Sequence, residues 1–470
     1  MIAGLKPYAN YQESGLPWVQ HLPTHWGLVP NRGLVRRRKV LVRERHAEYQ
    51  LLSLTKQGVI VRDISTGKGK FSSDMGTSQQ VRAGDLVFCL FDVPETPRTV
   101  GLSRYDGMIT GAYTVFESLG RGNSEYFEMF YRAMDDRKLL SPLYSGLRNT
   151  IPAARFLGTK TPFPPLVEQE MIVRFLNWAN GRIERTIRLK RKVIALLNEQ
   201  KQTIIHRAVT RGIEPNVPLK PSGVPWLEDN PAHWQLRRLK SVLTKNDGGV
   251  WGTDFTPEGI VVLRSTEQAM DGSWQISDPA VIRLSENQFH AAVLSAGDIV
   301  VTKSSGSASH IGKASLVTPA IAAMRCCYSN FMQRLRANSE LEPEYLHIFL
   351  NSQAGRAHYQ YTATSTTGLA NLTRETIATL PIPLPSRSEQ IRILDILRER
   401  LTPLNDSICR LEREINLLQE YRTRLVADIV TGKLDVREVA AEIPEDIPPD
   451  TTANMDLGDG ADNLDQEARE

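Results

Sequence analysis

No stretch of this sequence stays apolar for long. The longest unbroken run, Leu86 to Phe91, is six residues, against the roughly 18 that a membrane-spanning helix needs. No membrane partner is therefore expected. Cysteine is scarce: Cys89, Cys326, Cys327 and Cys409 form no CxxC pair and no disulfide framework, which fits a reducing compartment and a cytoplasmic protein. The amino-terminal MIAGLKPYANYQ carries no apolar core of a secretory signal.

Catalytic motifs are missing too. Ser307-Ala308-Ser309-His310-Ile311-Gly312-Lys313-Ala314 approaches a phosphate-binding loop, but Ser replaces its first Gly and Ala its magnesium-holding Ser/Thr. It reads as a loop. Pro448-Pro449 and Pro164-Pro165 lack the polar and aromatic neighbours with which a base methyltransferase holds a flipped base. His21 and His25 have helical spacing but enclose Pro23, so a turn with a packing or capping histidine is the better reading than a metal site. The adjacent Cys326 and Cys327 read as buried in a strand.

Length and charge say more. A chain of 470 residues exceeds one ordinary core, so two to four domains are expected. The net charge of +4 hides a split: from Arg437 onward there are 11 acidic and 2 basic residues, leaving 55 basic and 42 acidic before it, or +13. The acidic segment, without aromatics, reads as disordered, and the basic body suits a polyanion.

The chain is also written twice. SGLPWVQHLPTHWGL (residues 14–28) meets SGVPWLEDNPAHWQL (222–236) at an offset of 208, with eight identities that include two Trp. Ala83-Gly84-Asp85-Leu86-Val87 echoes Ala296-Gly297-Asp298-Ile299-Val300. PFPPLVEQEMIVRFL (162–176) echoes PLPSRSEQIRILDIL (383–397), aligning Glu168-Gln169 with Glu389-Gln390. Divergent inserts between shared blocks are what a duplicated binder of two targets would carry.

Each half opens with about 150 residues of mixed character. Runs such as Gly58–Val61, Leu86–Phe88, Gly259–Leu263 and Asp298–Val301 read as strands, and Ser124–Met134 and Glu344–Asn351 as short helices. Each half closes on a long helix. Ile183, Ile187, Ile194, Leu197 and Ile204 mark one seam; Leu404, Ile408, Leu411, Ile415, Leu418 and Leu425 mark the other, stepping mainly by three and four. Each helix could pack on its own domain alone, but two matched seams point to antiparallel pairing of the helices. Both should break at one register, at Gly181 and at Thr402-Pro403, with Thr402 as N-cap and Pro403 opening a new helix. From there each would run roughly 28 residues, or about 42 Å.

The boundaries follow: a first mixed domain over 1–165, its helix over 166–213, a second mixed domain over 214–387, its helix over 388–436, and a disordered acidic tail over 437–470. Candidate nucleic-acid contacts are Arg36, Arg37, Arg38, Lys39 and Arg43, their counterparts Arg237, Arg238 and Lys240, and the Gly/Ser/Lys stretches with Lys68, Lys70, Lys303, Ser304 and Ser305.

The order of these blocks resembles the specificity (S) subunit of type I restriction–modification systems. The resemblance rests on SGLPW…LPTHW and its second copy, Thr367-Gly368-Leu369-Ala370-Asn371-Leu372 before Leu380-Pro381-Ile382-Pro383-Leu384-Pro385, the two Glu-Gln marks, and the helix endings Ala208–Gly212 and Val430–Arg437. In the first copy Gly146–Thr150 is followed by a degraded segment, and the acidic tail is no part of the pattern. The resemblance implies an α+β fold: two tandem mixed α/β target-recognition domains, each followed by a long helix, the helices pairing as an antiparallel coiled coil with pseudo-two-fold symmetry. It implies a non-catalytic protein whose two domains each read half of a split, asymmetric site in double-stranded DNA. The helices would set the spacer and dock two modification (methyltransferase) subunits, with restriction/translocase subunits joining. No cofactor is expected on this chain; S-adenosylmethionine, ATP and Mg are expected on the partner subunits. A related system with a fused methyltransferase–nuclease partner is the alternative.

Overall fold

The computed structural model describes residues 4–62, 75–227, 229–252, 254–362, 364–366 and 369–444. Lys68, Lys70 and the tail from residue 445 lie outside the described residues. The chain divides into two compact units, one of Met1–Lys190 with Arg413–Glu470 and one of Arg191–Glu412. Each unit thus holds one mixed domain, part of the helix that follows it, and part of the other long helix.

In the first unit, strands β1 (Val35–Arg38), β2 (Leu86–Phe88), β3 (Val100–Leu102) and β4 (Thr114–Ser118) form an antiparallel sheet in the order β1-β4-β2-β3. Helix α1 (Ser124–Asp136) lies on it. Asn123 caps α1 by accepting from the backbone N–H groups of Glu125 and Tyr126. Its apolar face, Tyr126, Phe127, Phe130, Tyr131 and Met134, is buried. Phe88, Phe116, Tyr131 and Phe156 meet with ring centroids 4.7 to 5.7 Å apart, at the tilted and edge-on angles that aromatic quadrupoles favour. Helix α2 (Leu166–Arg211) starts in this unit.

The second unit repeats the plan. Strands β5 (Leu243–Gly248), β6 (Ile299–Thr302), β7 (Ala314–Leu316) and β8 (Met332–Ala337) take the order β5-β8-β6-β7, again antiparallel. Helix α3 (Pro343–Asn351) buries Tyr345, Leu346, Phe349 and Leu350. Cys326 and Cys327 are buried, the latter in a two-residue strand as read from the sequence. Helix α4 (Arg387–Val430) starts here.

Two expectations need correction. The long helices are not broken: α2 runs 46 residues and α4 runs 44 with Pro403 inside it, about 69 and 66 Å at 1.5 Å per residue. Thr402 is not an N-cap. Its hydroxyl donates back to the Arg398 carbonyl, four residues earlier, and both Thr402 and Pro403 are exposed. There the missing N–H and the ring of proline are tolerated at a local cost. Nor are residues 437–443 disordered. Arg437–Ala441 is a short helix, and Val436, Ala440 and Ile443 are buried in the first unit's core.

The seam residues face inward. Ile183, Ile187, Ile408, Ile415 and Leu425 are buried, and Ile194, Leu197, Ile204, Leu404, Leu411 and Leu418 are half-buried. Within the first unit, Glu184 pairs with Arg422 at 2.8 Å and Lys190 with Glu414 at 2.5 Å. The number rises along one helix as it falls along the other, so these stretches lie antiparallel.

Candidate nucleic-acid interface

The repeated His-Trp and Glu-Gln pairs, 143 residues apart in the first copy, meet in space. Glu168, in the first turn of α2, accepts from Trp26 Nε1 at 3.0 Å and Tyr8 Oη at 2.5 Å and pairs with His25 Nε2 at 2.9 Å. Burial and the adjacent carboxylate push the Tyr8 phenol far above its ordinary range. In the second unit Glu389, in the first turn of α4, accepts from Trp234 Nε1 at 2.9 Å and pairs with His233 Nε2 at 3.0 Å. Each following glutamine completes the joint. Gln169 accepts from the Asn123 N–H and donates to the Pro164 carbonyl; Gln390 accepts from the Glu342 N–H and donates to the carbonyls of Glu340 and Pro385.

The same tryptophans also meet the end of the other helix. Gly432 after α4 and Gly212 after α2 both have φ +75°, the left-handed turn that ends helices and favours glycine. A Cβ on Gly432 would sit 3.2 Å from the Trp26 ring, and one on Gly212 3.2 Å from the Trp234 ring. Tyr126 Oη donates to the Val430 carbonyl at 3.2 Å, and Tyr345 Oη, 3.5 Å from the Val209 carbonyl, does the same in the second unit. Each mixed domain is therefore fixed to the start of one long helix and the end of the other. Sequence reading found the matching letters but not this joint, because nothing in a linear pattern says that a histidine and a glutamate so far apart lie within hydrogen-bond distance.

The basic candidates separate by partner. In β1, Arg36 and Arg38 share a face: Arg36 Nε bonds Glu117 at 2.5 Å, and Arg38 bonds Glu117 at 2.7 Å and Asp85 at 3.0 Å. Arg37, Lys39 and Arg43 are exposed and, among the described residues, have no ionic partner. In the second unit, Arg237 donates to Ser241 Oγ and lies 4.0 Å from Glu340, and Lys240 lies 3.8 Å from Glu375. Arg238 is exposed without an ionic partner among the described residues. Lys303 is half-buried at the end of β6. Ser304 Oγ donates to Asn371 Oδ1 at 2.6 Å, and Ser305 Oγ accepts from the Ser307 N–H.

The loop that approached a phosphate-binding sequence is built differently. Lys313, 1 % exposed, points inward and donates to the carbonyls of Ser265 and Gln268 and toward His310 Nδ1. Burial lowers its pKa to about 8. Its ammonium pins the loop rather than offering itself to a phosphate. Among the described residues no cluster of three or more His, Cys, Asp or Glu side chains could hold a metal ion, and no helix is long and apolar enough to cross a membrane.

Residues 231–417 match the family described as the type I restriction modification DNA specificity domain. The chain is 24 % identical over 297 residues to the type I restriction enzyme EcoKI specificity subunit of Escherichia coli K12, across 62 % of this chain and 61 % of that one. It is 23 % identical over 292 residues to the MjaVIII specificity subunit of Methanocaldococcus jannaschii, across 60 % and 64 %. The chain thus spans somewhat less than two thirds of the length of these relatives. A solved structure from a study of complex assembly and conformational transition in the type I R-M system superposes with a TM-score of 0.60 at 15 % identity, over 87 % of this chain and 98 % of that one. The fold is shared with that solved type I R-M structure, and in sequence the chain is similar to type I specificity subunits.

Proposed function

We propose that this chain is the non-catalytic DNA-recognition subunit of a type I restriction–modification complex, each mixed domain reading one half of a split, asymmetric target. One observation carries this reading: the chain holds two four-stranded sheets of identical order, each fastened by a Trp–Glu joint to the start of one long helix and by a Trp–Gly contact to the end of the other. A frame duplicated this closely, around domains whose surface residues have diverged, fits two readers held at a fixed separation. Continuous helices of about 69 and 66 Å pair along their seams and act as the ruler. Their outward apolar side chains, such as Leu189, Val193, Leu196 and Leu417, give modification subunits a surface. S-adenosylmethionine, ATP and Mg belong to those partners and to the restriction subunits. Exposed Arg37, Lys39, Arg43 and Arg238 supply phosphate contacts that hold the domains on the duplex.

The test is exchange. Replacing residues 214–387 by the corresponding domain of another specificity subunit should change one half of the modified motif and leave the other half and the spacer. A change in both halves refutes the modular picture.

A further inference from the structure

The duplication supplies its own control for one position. In the first unit Leu86, Phe88 and Leu90 alternate along one face of β2 into the core, with Leu90 5 % exposed. The Leu90 carbonyl accepts from the N–H of Ile151. In the second unit Ile299 and Val301 repeat the first two positions, and the third is Lys303. Its carbonyl accepts from the N–H of Leu372, which stands where Ile151 stands in the first copy. The backbone is the same; leucine has become lysine.

The surroundings changed with it. Thr114, the cross-strand partner of Phe88, corresponds to Gln333, the partner of Val301. Gln333 Nε2 donates to Asn246 Oδ1 at 2.7 Å. Lys303 Nζ and Gln333 Oε1 both lie over Gly248, 3.4 and 3.8 Å from where its Cβ would be. Glycine there leaves the strand backbone open beside the ammonium. Among the described residues no carboxylate pairs with Lys303, whereas Arg334 and Arg336 beside it on β8 are paired with Asp247 and Asp298. Burial lowers the Lys303 pKa, the mark of a cation set where water hydrates it poorly and no anion compensates. The exposed Phe331 flanks the site, and its carbonyl accepts from the N–H of Lys303. A half-buried ammonium with no carboxylate partner among the described residues costs stability that leucine at the same place would not, and groups kept at such a cost are candidates for function.

We infer that Lys303, positioned beside Gln333 and Asn246, donates to an acceptor on duplex DNA and helps set the sequence read by the second recognition domain. The acceptor is a base-edge O6 or N7 or a phosphate oxygen. This rests on the DNA-reading function proposed above.

The full-length chain is incubated with a pool of random 40-base-pair duplexes, and the bound fraction is sequenced to find its preferred motif. The Lys303→Met variant is then titrated against that duplex, with Lys303→Arg and Leu90→Met as companions. Lys303→Met lowers affinity about tenfold to a hundredfold, the 1–3 kcal/mol of one good contact, while its melting temperature holds or rises. Lys303→Arg recovers part of the loss, and Leu90→Met leaves binding unchanged. A loss confined to duplexes with one particular base at one position assigns a base edge. A uniform loss with a shallower salt dependence assigns a phosphate. Unchanged binding by Lys303→Met overturns the assignment, as does a loss that tracks a falling melting temperature and is not recovered by arginine. A wild-type chain that enriches no motif overturns the DNA-reading function itself.

Discussion

The joint at Glu168 can be taken apart quantitatively, because the molecule contains a second, weaker version of it. The Glu168 side chain is 5 % exposed and serves three partners; Glu389 is 19 % exposed and serves two. Glu168→Ala strands Tyr8 Oη and Trp26 Nε1, whose residues are 5 % and 2 % exposed. Each stranded buried donor costs about 1–3 kcal/mol, and donors to a charged acceptor fall at the upper end. The sum is about 4–6 kcal/mol. Glu389→Ala strands only Trp234 Nε1 among buried donors, since the His233 side chain is 53 % exposed and returns to water, so about 2–3 kcal/mol is expected. For a unit of this size each kcal/mol moves the melting temperature by roughly 2–4 °C. Calorimetry of the full-length variants should show Glu168→Ala lowering the transition of its unit by about 8–24 °C and Glu389→Ala by about 4–12 °C. Equal losses, or a larger loss for Glu389→Ala, would refute the reasoning, because burial and partner number would then not govern the joint.

Pro403→Ala should stabilise the chain by up to about 3 kcal/mol, the cost of proline in a helix interior, in thermal unfolding; destabilisation would mean that the proline opens a helix after all. Because burial lowers the Lys313 pKa to about 8 from an ordinary 10.5, the unfolded chain binds the extra proton between those values. Stability therefore gains from this group as pH rises from 8 to 10.5, and Lys313→Met should remove that gain in melting curves across the window. Arg37→Ala with Lys39→Ala should lower the slope of log affinity against log salt by about two, whereas Arg36→Ala, at a side chain already bonded to Glu117, should change it less.

Much of this architecture is written in the sequence, for identifiable reasons. The duplicated Trp26 and Trp234, and Glu168 and Glu389, are legible as repeats because each pair does one job at equivalent places, and that job tolerates few residue types. The seams from Ile183 and from Leu404 are legible because helical periodicity is a local signal. The supposed helix break is the instructive miss. Pro403 satisfies the local rule for a helix start, yet the flanking turns of α4 hold through it, and tertiary packing outweighs a single local preference. The tail was misjudged near its start because Ala440 and Ile443 are sparse apolar marks in an acidic stretch, and only the first unit's core shows that they are buried. The basic candidates were legible only as charge. Whether Arg38 is neutralised by Asp85 and Glu117, or Lys303 left without a carboxylate among the described residues, depends on strand pairing between distant segments.

The central claim, two readers on one duplicated frame, is tested most directly by mapping modified adenines in host DNA with the wild-type gene, with the gene deleted, and with residues 214–387 exchanged. The account predicts one bipartite, asymmetric motif that disappears on deletion and returns on exchange with one half altered and the spacer kept. A methylation pattern that deletion leaves unchanged in a host where the system is expressed, or an exchange that alters both halves, would contradict it.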